Sequence, residues 1–112
     1  MIKFLQKPSC TTCRKAKSLL LRGGAKVEFR DLDRERLTVA ELDALIGERD
    51  YRLFLNPRNK VYREKKMKER PPSRSAALKM MAVEPNLIRR PIVISGNQVL
   101  LGYDEKALQQ LV

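Results

Sequence analysis

An α/β fold, with a mixed sheet built from a βαβ half and a ββα half around a helical insertion, is the class this sequence predicts. Three observations predict it. Residues 2–32 carry a strand–helix–strand pattern, the C-terminal end carries a hairpin signal followed by a short helix, and the long middle is helical in pattern.

The first strand is Ile2 to Leu5, broken by Lys7-Pro8-Ser9. From Thr11 a helix follows, with Ala16, Leu19 and Leu20 on one face, Arg14, Lys15, Lys17 and Arg22 mostly on the other, and Gly23-Gly24 as its stop. Val27 to Leu32 alternates apolar and charged residues and reads as the second strand, so the first two strands are expected to be parallel. Thr38 with Glu41 three residues on forms a capping box, and Leu42, Leu45 and Ile46 make an apolar stripe ended by Gly47. Further helices are expected over 61–68 and 75–83, separated by Pro71-Pro72, with Pro85 ending the second. No strand is expected between Asp33 and Arg90. Pro91 to Ser95 and Val99 to Leu101 read as two strands across a Gly96-Asn97 turn, and Asp104 caps a last helix with Ala107, Leu108 and Leu111. This order is the thioredoxin-like arrangement: one domain over 1–112 with a helical insert at about 35–87.

Composition narrows the chemistry. The chain has no histidine, which excludes Ser-His-Asp, Cys-His and histidine–metal arrangements within it, and its two cysteines cannot make a four-cysteine zinc site. No metal is therefore expected. No apolar run approaches the roughly 20 residues of a membrane helix, and Met1–Leu5, interrupted by Lys7 and Pro8, is too short for a secretory signal. A cytoplasmic protein without membrane contact is the expectation. A net charge of +11 favours anionic partners: an oxyanion, a phosphate-rich molecule, nucleic acid or an acidic protein surface. Residues 56–74 hold eight lysines and arginines against Glu64 and Glu69, and Tyr62 is their only aromatic residue. A stacking platform for single-stranded nucleic acid, and hence direct nucleic-acid binding, is not expected; steering of anions, docking of an acidic protein and a solvated charged face remain open.

The sharpest motif is Cys10-Thr11-Thr12-Cys13, where the first strand ends and the first helix begins. Free amides of a first helical turn stabilise a thiolate at Cys10, and Cys13, one turn on, faces the same side and can close a disulfide with it. Arg14 and Lys7 add positive charge nearby. A half zinc site completed by another subunit, or two buried structural thiols, are the alternatives. Arg90-Pro91 heads the third strand, where a thioredoxin-like fold commonly has a cis proline beside the cysteine pair with backbone groups open to a substrate; a plain strand-initiating proline is the alternative. Asn56-Pro57-Arg58-Asn59 is a loop between helical stretches.

Taken together, Pro8-Ser9-Cys10-Thr11-Thr12-Cys13-Arg14-Lys15-Ala16, Asn56-Pro57-Arg58, Asn86-Leu87-Ile88-Arg89-Arg90-Pro91-Ile92 and Leu101-Gly102-Tyr103 resemble the arsenate reductase family of the glutaredoxin-coupled type, with its transcription-regulating relative Spx. The resemblance covers essentially the whole chain. It implies a nucleophilic cysteine at Cys10 and oxyanion-binding arginines at Arg58 and Arg90; the adduct on Cys10 would be resolved by glutathione or by Cys13, with Arg14 and Pro91 in support. It also implies glutathione or glutaredoxin as reductant with no bound cofactor, a small oxyanion or thiol substrate, and glutaredoxin or thioredoxin as partners. The reductases have a third arginine, in an Arg-Pro pair where this chain has Tyr103-Asp104, and usually a serine where it has Cys13. Both departures match Spx, for which the resemblance implies a Cys10–Cys13 disulfide switch that governs binding to RNA polymerase. The Spx glycine before the loop arginine is missing from Glu48-Arg49-Asp50-Tyr51.

Overall fold

The computed structural model describes residues 1–112. Its backbone gathers into two compact units, Met1–Glu35 with Arg90–Val112, and Arg36–Arg89; the sequence places the insert at about 35–87.

In the first unit, β1 (Ile2–Gln6), β2 (Val27–Asp31), β3 (Ile92–Ser95) and β4 (Gln98–Leu101) form one sheet in the order β2-β1-β3-β4. β1 pairs parallel to β2, with Phe4 opposite Phe29, and antiparallel to β3, with Phe4 opposite Val93. The expected hairpin joins β3 to β4, with Ser95 opposite Gln98. Helices α1 (Thr11–Arg22) and α5 (Glu105–Gln109) supply Cys13, Ala16, Leu20 and Leu108 to a buried cluster with Ile2, Phe4 and Val93. A fully buried side chain of the Leu or Phe kind contributes roughly 1.5–3 kcal/mol, so this small cluster anchors the sheet and holds the start of α1 against it.

The end of α1 is a Schellman motif. The Ala25 amide donates to Leu20 O and the Gly24 amide to Leu21 O, both at 3.1 Å, with Gly24 at φ +83°. Gly23 serves closeness instead: a β-carbon there would lie 2.6 Å from a methyl of Val112. The two glycines that end the helix thus have different reasons.

The second unit is built on α2 (Val39–Ile46), α3 (Lys60–Glu64) and α4 (Arg74–Val83). The predicted capping box is present: Thr38 Oγ1 accepts from the Glu41 amide and Glu41 Oε1 from the Thr38 amide, each at 3.1 Å. Arg74 bonds Asp43 at 2.8 Å, tying the start of α4 to α2, and Tyr51 Oη donates to Pro72 O at 2.7 Å. Leu42, Ile46, Phe54, Leu78, Met81 and Leu87 are buried in this unit.

Three local expectations change. The helix expected over 61–68 ends at Glu64, because Lys66 turns to φ +49° and closes a second Schellman motif. Its Lys66 amide donates to Arg63 O at 3.2 Å and its Met67 amide to Tyr62 O at 3.0 Å. Two 3-10 turns, Tyr51–Phe54 and Pro85–Leu87, occupy loop sequence. Between Asp33 and Arg90 there is no strand, but Leu55 and Ile88 form an isolated antiparallel bridge, flanked by Asn56 N–H to Leu87 O (2.7 Å) and Arg89 N–H to Phe54 O (2.8 Å). These bonds lie beside the buried Phe54, Leu55, Leu87 and Ile88, where an unpaired backbone group is costly.

Candidate active site

The thiol pair sits where β1 passes into α1. The turn at 7–10 closes with the Cys10 amide donating to Lys7 O at 2.9 Å, which leaves Cys10 extended (φ −78°, ψ 119°) as the N-cap of α1. Cys10 therefore occupies the place usually taken by Ser, Thr, Asp or Asn, and its sulfur does their work: Sγ accepts the Cys13 amide at 3.4 Å. α1 carries no acidic residue in its first turn, so no carboxylate competes for these amides.

Electrostatics separates the two thiols. Burial pushes the Cys10 thiol up, but the Cys13 thiol and amide, the positive charge of Arg90 and the Thr12 amide together outweigh it and hold Cys10 below its ordinary value. Cys13 has no solvent-exposed surface, and burial pushes it up to about 12; the Cys10 hydrogen bond and charge add to the rise, while the Lys7 amide and Arg90 oppose it. The arrangement is a partly exposed sulfur that ionises more readily than an ordinary cysteine, with a protonated thiol donating to it from the core. Neither cysteine is in a disulfide.

The other predicted residues fall in different places. Arg90 is half-buried in the same unit, and its charge acts on both sulfurs. Pro91 is buried, follows a cis peptide bond, and its carbonyl accepts the Gly102 amide at 2.9 Å. The Pro91 carbonyl is thus tied to the residue that follows β4. Arg14 stays exposed and donates to Thr11 Oγ1 at 3.5 Å; the cation that acts on Cys10 is Arg90. Lys7 reaches Asp33 at 4.0 Å. Arg58 belongs to the helical unit, exposed, in a loop that Asn56 pins: Asn56 Oδ1 accepts the Arg58 amide at 3.0 Å and Asn56 Nδ2 donates to Asn86 O at 3.1 Å. The Cys13 and Thr12 amides that meet the Cys10 sulfur are the first-turn amides expected from the motif; the donor that sequence reasoning missed is the Cys13 thiol, because its burial is set by packing and not by spacing. No group of three or more Cys, Asp or Glu side chains gathers as metal ligands, and no helix is long and apolar enough to cross a membrane.

With a thiol at the head of α1 and a cis proline at the head of β3, comparison with known proteins becomes decisive. The family model described as ArsC family matches residues 5–111. The chain belongs to the ArsC family. Among its ArsC-like relatives, the global transcriptional regulator Spx of Enterococcus faecalis is 27% identical, with 100% of this chain and 86% of Spx aligned. A solved structure described as a putative ArsC family related protein from Bacteroides fragilis is 30% identical, covers 99% of this chain and 98% of its own, and superposes with a TM-score of 0.85. An arsenate reductase from Vibrio cholerae, 24% identical, covers 99% and 97% with a TM-score of 0.84 and supports the fold alone. The thioredoxin-like α/β fold expected from the element order is the fold of this ArsC-family chain.

Proposed function

We propose that this ArsC-family protein is a thiol–disulfide oxidoreductase that uses Cys10 as nucleophile, on a small oxyanion or on a disulfide. The observation that carries the proposal is the capped sulfur: Cys10 accepts the Cys13 amide at the head of α1 and is held below its ordinary pKa, while Cys13 is held protonated. On a disulfide, the Cys10 thiolate attacks one sulfur, a Cys10–S–S–R mixed disulfide forms, and the other half leaves as a thiolate. On an oxyanion, the Cys10 sulfur displaces one oxygen, which takes up protons and leaves as water; a second thiolate then attacks the Cys10 sulfur to form a disulfide, and the electron pair of the broken sulfur–oxyanion bond leaves with the central atom, reduced by two electrons. Arg90 stabilises negative charge beside the sulfur, and Arg58 is proposed as the second oxyanion arginine. Glutathione or glutaredoxin, or Cys13 itself, resolves the adduct.

Cys13 has a physical reason to wait. Two of the influences that raise its pKa are the Cys10 hydrogen bond and the Cys10 charge. Both vanish once Cys10 is bonded to a substrate sulfur, so Cys13 becomes easier to deprotonate only after the first step. In a single-thiol mechanism Cys13 would serve only as a hydrogen-bond donor that stabilises the Cys10 thiolate. The pair of cysteines also favours a second reading, in which a Cys10–Cys13 disulfide switches binding to RNA polymerase in the manner of Spx, to which the chain aligns over its full length.

The test uses two variants. Cys10→Ser should lower turnover with a glutathione-linked disulfide substrate by a factor on the order of 10³ or more. After mild peroxide, intact mass should show a loss of two hydrogens in the wild type and none in Cys13→Ser, which should stop at a sulfenic acid or glutathione adduct on Cys10. Turnover surviving in Cys10→Ser would remove the proposal. Disulfide formation without any turnover, together with capture of RNA polymerase by the oxidised form alone, would favour the switch.

A further inference from the structure

We propose that the helical unit carries a binding site, separate from the thiol chemistry, for a phosphorylated small molecule with a flat ring, of which a mononucleotide is the type. The site is a cavity of about 490 Å³ lined by Pro57, Tyr62, Arg63, Lys66, Lys68 and Glu69. Its volume falls within the roughly 300–1,000 Å³ of small-molecule sites. Neither Arg58 nor Arg90 lines it. The inference goes beyond the oxidoreductase reading and stands or falls without it.

The first observation is charge. Arg63, Lys66 and Lys68 meet at one cavity against the single carboxylate of Glu69, and none of the three cations is in an ion pair, whereas Lys60 in the same helix reaches Glu64. Like charges held together repel one another, so their convergence works against the fold. An anion with two or more phosphate oxygens relieves that repulsion and gains charge-assisted hydrogen bonds.

The second observation is that the backbone carrying Lys66 is fixed at a local cost. Lys66 is the left-handed residue of the Schellman motif that ends α3, at φ +49°, a position that favours glycine. α1 ends with the same pair of hydrogen bonds and does have glycine there, Gly24. Met67, the next residue, is 3% exposed and anchors the turn, and the Lys66 carbonyl accepts the Arg70 amide at 2.8 Å and the Glu69 amide at 3.2 Å. The basic segment is thus a fixed turn with a lysine where stability alone selects glycine. The third observation concerns shape. Tyr62 and Pro57 are the aromatic and the aliphatic ring that line the cavity, a pair suited to a single ligand ring. One aromatic residue suits one ring and does not track successive bases along a strand.

The experiment is calorimetric titration of the full-length protein with ADP, with inorganic pyrophosphate and adenosine as separate probes. ADP should bind more tightly than pyrophosphate, and adenosine only weakly. Lys66→Gly separates ligand binding from folding. It should raise Tm by roughly 2–5 °C by relieving the left-handed lysine, and weaken ADP by about tenfold. Tyr62→Leu should weaken ADP by about fivefold and leave pyrophosphate unchanged. Lys106→Ala, in the other unit and outside the cavity, is the charge control and should leave ADP binding unchanged. Three results would each overturn the proposal: no ADP binding by the wild type, an equal loss in Lys106→Ala, or pyrophosphate binding as tightly as ADP. Tighter binding of a short DNA duplex than of ADP, weakened by Lys66→Gly, would overturn it too and make the turn a polyanion contact.

Discussion

The ends of α1 and α3 use one backbone motif for two purposes. Both helices close with paired amide-to-carbonyl bonds and a residue at positive φ, which is Gly24 after α1 and Lys66 after α3. After α1 the motif returns the chain to β2, beneath a helix whose Ala16 and Leu20 have no exposed surface, and a glycine meets the backbone requirement at no steric cost. After α3 it closes a helix of five residues, Lys60–Glu64, with no buried residue of its own, and one buried methionine follows. The sheet unit packs most of this helix's apolar face, and the proposed nucleophile is one sulfur at the other end of the same helix. The helical unit displays charge, and a local backbone preference is overridden to do so. Strain of this kind is tolerated where the surrounding structure fixes the position.

Predictions can break that contrast, beginning with the largest effect. Leu20→Ala, in the last turn of α1 and fully buried, should cost about 2–5 kcal/mol in denaturant unfolding. Met67→Ala, the single anchor after α3, should cost less, because fewer buried neighbours from its own short helix surround it; an equal loss would show that the helical unit depends on one core as the sheet unit does.

Arg90→Ala comes next. Removing its charge takes away one of the influences that lower Cys10, so the pH profile of iodoacetamide labelling at Cys10 should move to higher pH, since less of the thiol is ionised at any pH below the midpoint. Affinity for sulfate or arsenate should fall about tenfold or more, and Arg70→Ala, exposed in the basic segment, should change it little. Equal losses would mean that overall charge, and not a built site, attracts the anion.

The smallest expected effect is Gly24→Ala. Nothing lies within 4 Å of the added β-carbon, so the cost is backbone strain alone, about 1 kcal/mol by thermal or chemical unfolding. The opposite sign is expected for glycine at Lys66. A stabilising Gly24→Ala would end the comparison between the two helix ends.

Much of this was legible in the residues. Thr38 and Glu41 announce a capping box, Gly96-Asn97 a hairpin, and Cys10 through Cys13 a thiol at a helix start, because each rests on a local rule that reads only a few neighbouring positions. The extent of α3 was not legible. Its sequence continues in helix-favouring lysines to Lys68, and burial of Met67 with the left-handed turn at Lys66 stops it at Glu64. Propensity is worth a few tenths of a kcal/mol per residue, and one buried side chain exceeds it.

The order of elements, the place of the cysteine pair at the head of α1 and the excess of positive charge were determined by the sequence alone, since periodicity, turn chemistry and composition need no partner. The tertiary structure decided which cation acts on the thiols: Arg90, brought from the head of β3, and not Arg14 four residues away from Cys10. It also decided that the Pro91 carbonyl goes to Gly102, and that Cys13 lies in the core while Cys10 does not. Charge and burial act through distance in space, and that distance is set when β1 pairs with β3 and α1 packs on the sheet.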